Sequence, residues 1–304
     1  MARRLAQLHA AGTAGGRARR IAGVSQSRDL AAEQAAFWNG PGAKGWLAAR
    51  DRIERGIAGY GADALAAAAA RPGERVLDIG CGPGVSSRAL AEAVGAEGQV
   101  LGLDIAAPLI EAARVAGGPP HLSYATADAA THGFSPASFD LLFSRFGVMF
   151  FADPVAAFAN LRRALKPGGR LAFVCWRTLR ENPWGLVPIL AAAPHLPPLP
   201  RPGPEEPGQY SFGDRARVER ILAASGFVDA TLRPLDRPMT LGRDVETVLD
   251  ELAKFGALAR AFAEATPEQA RAARAAITEA LKPHAGPEGF VLASACWCVT
   301  ARAG

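Results

Sequence analysis

The sequence predicts an α/β protein: a doubly wound, mostly parallel sheet of seven strands, preceded by helices and carrying a helical cap insertion. Three observations carry this. Short apolar runs alternate with helical patterns from Arg75 to Trp176. One of those runs, "SFDLLFSRF" from Ser138 to Phe146, is apolar without alternation, as a strand covered on both faces must be. A turn with glycines at 80, 82 and 84 joins the first run directly to a helix.

The elements follow in order. Residues 29–70 read as helices: one begins at an expected Asp29 cap, breaks at Asn39-Gly40-Pro41-Gly42, and a second runs from Trp46 to Ala70. Arg71-Pro72-Gly73 turns the chain into strand one, Arg75 to Ile79. Pro83 to Val94 is helical, and "GQVLGLDI", Gly98 to Ile105, is strand two. Helix Pro108 to Val115, strand three "HLSYATAD" from His121 to Asp128, and strand four come next. Pro154 to Leu165 has helical spacing, and "RLAFVCW", Arg170 to Trp176, is strand five. The prolines of 180–209 exclude regular structure there. A helix from Asp214 to Gly226 and a strand from Val228 to Leu235 restore the rhythm, and helices at about 244–263 and 267–281 precede a last strand, Phe290 to Thr300. Three divisions follow: a basic tail (1–28), an N-terminal helical lid (29–70), and a main domain (71–304) with insertions at about 180–212 and 240–285.

The net charge of +5 belongs to the tail. Arg3, Arg4, Arg17, Arg19, Arg20 and Arg28 stand there without an acid, and the remainder has 28 basic against 29 acidic residues, so nucleic acid is not an expected partner. The tail lacks the apolar core of a secretory signal and is read as disordered; a transit-like composition and a start placed too early both remain open. No apolar run is long enough to span a membrane. Cys81, Cys175, Cys296 and Cys298 have no redox or zinc spacing and are read as buried thiols in a cytoplasmic protein. No metal cluster is expected, since the histidines are scattered.

The glycine turn lets backbone approach a ligand closely. Asp104, closing strand two, can accept hydrogen bonds from ribose hydroxyls. Both features suit any nucleoside cofactor, and a nicotinamide dinucleotide must be weighed first. Against it, Val85 holds the position where the dinucleotide fingerprint wants its third glycine. Asp78 also aims a carboxylate at the mouth of the turn, which would repel a pyrophosphate but pair with an ammonium. S-adenosylmethionine, which carries an ammonium and a sulfonium and no phosphate, fits that charge logic.

"VLDIGCGPG", Asp104 closing "VLGLDI", "ATADA", and "SFDLLFSRFGVMFFADPVAAFANLRRALKPGGRLAFVCW" together resemble a class I S-adenosylmethionine-dependent methyltransferase. Within that superfamily they are similar to the small-molecule group related to the ubiquinone/menaquinone-biosynthesis methyltransferases. The resemblance is strong over Arg71 to Trp176 and implies a Rossmann-like sheet whose seventh strand lies between the fifth and sixth. It implies a methionine cradle of Asp78, Gly80, Gly82 and Gly84, with the small residue Cys81 packed in the turn, and a ribose contact at Asp104. Ile105 and Leu109 would pack on adenine, with Asp128 at its amino group between Ala127 and Ala129. Ser144 to Phe146 would flank the sulfonium and open the pocket of a small-molecule methyl acceptor.

The acceptor site reads less clearly. Phe37, Trp38 and Trp46 are core packing or a lid; Trp176 and Trp184 follow strand five, where they can line a pocket. Arg145 is a ligand for an acidic acceptor or a rim charge. His132 and His195 are general-base candidates or plain loop histidines, and His121 is on the opposite edge. No residue is assigned as catalytic. In-line methyl transfer to a small organic acceptor is the expected function. A non-catalytic S-adenosylmethionine-binding protein and, behind it, a nicotinamide-dependent oxidoreductase are the alternatives.

Overall fold

The computed structural model describes residues 27, 29–199, 203, 205–253 and 258–304. The basic tail read at 1–28 lies outside them, apart from Ser27. Residues 29–38 are helical (α1), so Asp29 sits within the helical run and is not its cap. α2 (Pro41–Ala48) starts at the expected break, and α3 (Arg50–Ala68) follows after Ala49.

The sheet then builds as β1 (Arg75–Ile79), α4 (Val85–Val94), β2 (Gln99–Asp104), α5 (Ala107–Ala116), β3 (Leu122–Thr126), β4 (Phe139–Arg145), α6 (Pro154–Ala164) and β5 (Leu165–Trp176). These strands pair in parallel in the order β3-β2-β1-β4-β5. Right-handed crossovers in opposite directions from β1 and β4 put α4 and α5 on one face and α6 on the other. β4 lies between them, with Leu141, Leu142 and Phe143 fully buried. The order reverses between β1 and β4, and a ligand crevice forms beyond the carboxyl ends of strands at such a point.

After α8 (Arg215–Ala224), β6 (Phe227–Thr240) and β8 (Gly289–Ala303) close the sheet as an antiparallel hairpin, with β8 between β5 and β6. Both run longer than the sequence suggests. Pro234 and Pro238 do not end β6 because it is an edge strand, where a missing N–H removes no ladder bond. A two-residue strand, β7 (Ala285–Gly286), pairs with the start of β8.

The largest departure is α7 (Pro183–Ala192), a helix inside the proline-rich stretch expected to be irregular. Pro183 opens it at a position where its missing N–H costs nothing, and Pro188 is carried in its interior. Pro188 and Ala192 are buried and Trp184, Val187 and Ile189 pack on the core, so burial overrides the local penalty. The helices expected at 244–263 and 267–281 are α9 (Val245–Leu252), α10 (Ala259–Glu264) and α11 (Pro267–Leu281); residues 254–257 lie outside the described set. All four cysteines are buried and unbridged. No helix among the described residues is long and apolar enough to cross a membrane.

Candidate active site

The glycine turn is held from two sides. Leu103 O, at the end of β2, accepts the N–H groups of Gly80 at 2.8 Å and Cys81 at 3.1 Å. From β4, Ser144 Oγ donates to Ile79 O at 2.7 Å and accepts Gly147 N–H at 3.2 Å. Gly80, Gly82 and Gly84 have φ of +64°, +54° and +78°, the left-handed region that side chains avoid. A Cβ on Gly80 would lie 2.8 Å from Gly147 Cα, whereas one on Gly82 would meet nothing within 4 Å. The turn is therefore packed tight below and open above, over a cleft of about 160 Å³.

Three acids surround this turn, and they differ in what their oxygens already hold. Asp104 is nearly buried and accepts Gly82 N–H at 2.8 Å on Oδ2 and Ala106 N–H at 2.8 Å on Oδ1. Burial raises its pKa, against the pull of those backbone donors. Asp128 binds Ala130 N–H at 2.9 Å and Thr131 Oγ1 at 3.3 Å, so it closes its own turn while facing the cleft. Asp78 is fully buried behind the turn; both Ser86 and Ser87 donate to its Oδ2, at 2.7 and 2.6 Å. Its Oδ1 is buried with no partner. Burial pushes Asp78 up to about 6, opposed by the two serine hydroxyls and by the charge of Arg145.

Gly80, Cys81, Gly82, Asp104, Ile105, Leu109, Ala127, Asp128, Ala129 and Phe146 all line the cleft. Asp78, Gly84 and Ser144 do not. Gly84 supports from behind, where an added Cβ would fall 2.2 Å from Tyr124 Oη. Ser144 was expected beside the ligand, yet its hydroxyl is fully buried and spent on the turn. The Cys81 thiol is pushed well above its ordinary value by burial, in keeping with packing rather than attack.

A second cavity, of about 190 Å³, adjoins the cleft. Trp38, Trp46, Ile57, Phe146 and Phe150 line both. The remaining wall comes from distant parts of the chain: Trp176 at the end of β5, Trp184 on α7, Tyr210 in the loop before α8, Met239 on β6, Leu252 at the end of α9 and Leu258 just before α10. Phe146 has φ of +61°, an uncommon state for a bulky residue, and stacks on Trp176 at 4.8 Å between centroids and 23° between planes. Trp184 lies 5.0 Å from Trp176 and donates its indole N–H to Asn182 Oδ1 at 3.0 Å. Among the described residues, no carboxylate or imidazole belongs to this wall.

Two acceptor-site expectations fail. Phe37 is 45% exposed and lines neither cavity; it packs edge-on against Trp38 at 5.3 Å, since α1 turns it outward. Arg145 lines the cleft but is not free for an acidic ligand: Glu54 on α3 binds its guanidinium through both oxygens at 2.7 and 2.6 Å. Trp38 and Trp176 line the second cavity. His132 is exposed against Phe134, and neither it nor His195 lines either cavity. His121 Nε2 bonds Ala91 O at 2.9 Å on the opposite edge. Sequence reasoning did not single out Ile57, Phe150, Tyr210, Leu252 or Leu258. Phe150 alone had a signal, in the "GVMFF" run directly after strand four.

Comparison with known proteins agrees with this architecture. Residues 77–173 match the family model described as a methyltransferase domain. Aklanonic acid methyltransferase DauC of Streptomyces sp. (strain C5) is 46% identical over 104 residues, covering 33% of this chain and 47% of that protein. Nocamycin O-methyltransferase of Saccharothrix syringae is 34% identical over 172 residues, 52% of this chain and 61% of that protein. The chain thus spans about half the length of the curated relatives it matches. Among solved structures, YcgJ of Bacillus subtilis superposes with a TM-score of 0.51 at 15% identity, covering 78% of this chain and 95% of that one, a likeness of fold. Residues 77–173 thus carry a methyltransferase domain like that of these relatives.

Proposed function

We propose that this chain transfers a methyl group from S-adenosylmethionine to a small organic acceptor by in-line displacement. One observation carries the reading: the cleft over the glycine turn and the apolar cavity share the wall formed by Trp38, Trp46, Ile57, Phe146 and Phe150. A donor in the first and an acceptor in the second would meet at that wall.

The cleft suits this cofactor. Asp78 Oδ1, a buried acceptor without a partner behind the turn, would reach an ammonium through water. A pyrophosphate would face the carboxylates of Asp104 and Asp128 there. Asp104 keeps lone pairs toward the cleft after binding two backbone N–H groups, and would take the ribose hydroxyls. Ile105 and Leu109 would cover adenine, with Asp128 at its edge. Bound there, S-adenosylmethionine supplies an electrophilic methyl group on a sulfonium.

The protein's own part is orientation and the exclusion of water. Trp176, Trp184 and Phe146 form a dry wall against which an acceptor ring can lie flat. Among the described residues no carboxylate or imidazole lines that wall; Asp104 and Asp128 line the adjoining cleft. α1 to α3 act as a lid and α9 to α11 as a cap, fastened to each other by the Arg52–Glu251 ion pair. Incubating the protein with methyl-labelled S-adenosylmethionine and a panel of phenols, carboxylic acids and aromatic ketones tests the reading. Label recovered in an organic product is the expected result; label that never leaves the cofactor, although the cofactor binds, would make the chain a binding protein only.

A further inference from the structure

Where the two cavities meet, a charged pair stands beside the aromatic wall. Among the described residues, Arg145 is the only basic side chain that lines the cofactor cleft. It ends β4 and directly precedes Phe146, which lines both cavities. The Arg145 side chain is 7% exposed, and Glu54, 20% exposed, accepts both of its bonds at 2.7 and 2.6 Å. Burying two charges gains little stability over an apolar pair of the same shape, so stability alone does not account for it.

α3 is shaped around this pair. Glu54, Ile57 and Gly61 share one face of the helix, three and then four residues apart. Ile57 lines both cavities. Gly61 leaves room for the arginine, since a Cβ there would fall 3.0 Å from Arg145 Cδ. The same helix is tied to β8 by the 2.6 Å hydrogen bond between the Tyr60 and Ser294 hydroxyls, and to β6 by Arg237, which donates to Asp63 at 2.6 Å. The Glu54 carboxylate is therefore held in place against Arg145.

A donor sulfur placed at the shared wall would lie between Ile57 and Phe146, next to the two residues that carry the pair. The sulfur of S-adenosylmethionine is a cation. An unpaired guanidinium at that point would repel it, and a site walled off from water would screen the repulsion poorly. With Glu54 bound, Arg145 presents no net charge to the sulfur.

Building on the methyl-transfer reading, we propose that Glu54 sets the preference for the methyl-bearing cofactor: by pairing with Arg145 it removes a repulsion that would fall on the sulfonium of S-adenosylmethionine and not on the neutral sulfur of S-adenosylhomocysteine. Glu54 acts through Arg145 and is a positioning residue.

The test is calorimetric titration of the full chain with each of the two ligands at about pH 8, where carboxylates are ionised. It yields an affinity ratio for wild type, Glu54→Gln, Arg145→Gln and the double variant. Glu54→Gln should weaken S-adenosylmethionine about tenfold relative to S-adenosylhomocysteine. Arg145→Gln, which leaves the anion unpaired, should move the ratio the other way, and the double variant should return it to within about twofold of wild type. Effects passed through Asp78 fall on the ammonium, which both ligands carry, and cancel in the ratio. A merely structural pair would weaken both ligands together. If Glu54→Gln does not fold, the shift in Arg145→Gln decides. An unchanged ratio in Glu54→Gln, or a ratio in Arg145→Gln that stays put or moves against S-adenosylmethionine, would overturn the proposal. Wild type that binds neither ligand would instead overturn the donor assignment on which it rests.

Discussion

The two adjoining cavities are built in opposite ways. The cofactor cleft is floored by one continuous strand–turn–helix, tied to the end of β2 by backbone hydrogen bonds and to β4 by the Ser144 hydroxyl, and its character is set by acids at fixed positions. The acceptor cavity is made of side chains from α1, α3, α7, β6 and the segments around α9 and α10, with aromatic packing in place of backbone bonds. A cofactor common to many reactions needs the same atoms met every time, which backbone geometry supplies. An acceptor particular to one reaction needs a shape, which side chains from separate segments can vary independently.

The sharpest way to break the cofactor half is Gly80→Ala. The new Cβ would strike Gly147 backbone at 2.8 Å while φ is held at +64°, so neither side can yield cheaply. Affinity for S-adenosylhomocysteine, measured by calorimetry, should fall at least a hundredfold. Next comes Asp104→Asn, which replaces one oxygen by an NH₂ facing a backbone N–H of Gly82 or Ala106. A loss of about tenfold to a hundredfold is expected from a broken charge-assisted bond, about 1.5–3 kcal/mol.

Asp78→Asn sharpens the comparison because two quantities should move in opposite directions. Burial raises the folded-state pKa from 3.8 to about 6, so the folded protein binds the proton more tightly than the unfolded chain. This group therefore favours folding at low pH, and its contribution is lost as pH rises from about 4 through about 6. At pH 7 the buried charge destabilises the free protein by roughly 3 kcal/mol, an upper bound. Asn removes that charge at the cost of a buried amide. Thermal unfolding at pH 7 should show the ligand-free variant at least as stable as wild type, while cofactor affinity drops about tenfold. In wild type, affinity should weaken as pH falls below about 6, where Asp78 takes up a proton.

That contrast also explains what could be read in advance. Asp78, the glycines and Asp104 are adjacent or one strand apart in sequence, so their chemistry is visible as a pattern. The alternation marks the parallel strands, while the return of β8 between β5 and β6 is what the family resemblance implies. Tyr210 and Leu258 reach the acceptor cavity only through tertiary packing, and no local spacing marks them. Arg145 reads as a free cation until Glu54, 91 residues away, is seen to hold it. α7 was hidden because its prolines speak against a helix and only its burial restores one.

On the acceptor half, Trp176→Leu should raise the KM for acceptor about tenfold through the lost stacking with Phe146 and Trp184, and leave S-adenosylhomocysteine affinity within twofold. Parallel losses in both would show that the two cavities are not separable. The smallest effect should be that of His132→Ala. Its ring is exposed and away from both cavities, so turnover and its pH profile should stay within twofold of wild type.

The central claim is that the cleft over Gly80–Gly84 is built for S-adenosylmethionine. Calorimetric titration of the full chain with S-adenosylhomocysteine and, separately, with NADH tests it most directly. Saturable one-to-one binding of S-adenosylhomocysteine, abolished by Gly80→Ala, with no heat from NADH, is the predicted result. Binding of NADH with no response to S-adenosylhomocysteine would contradict it.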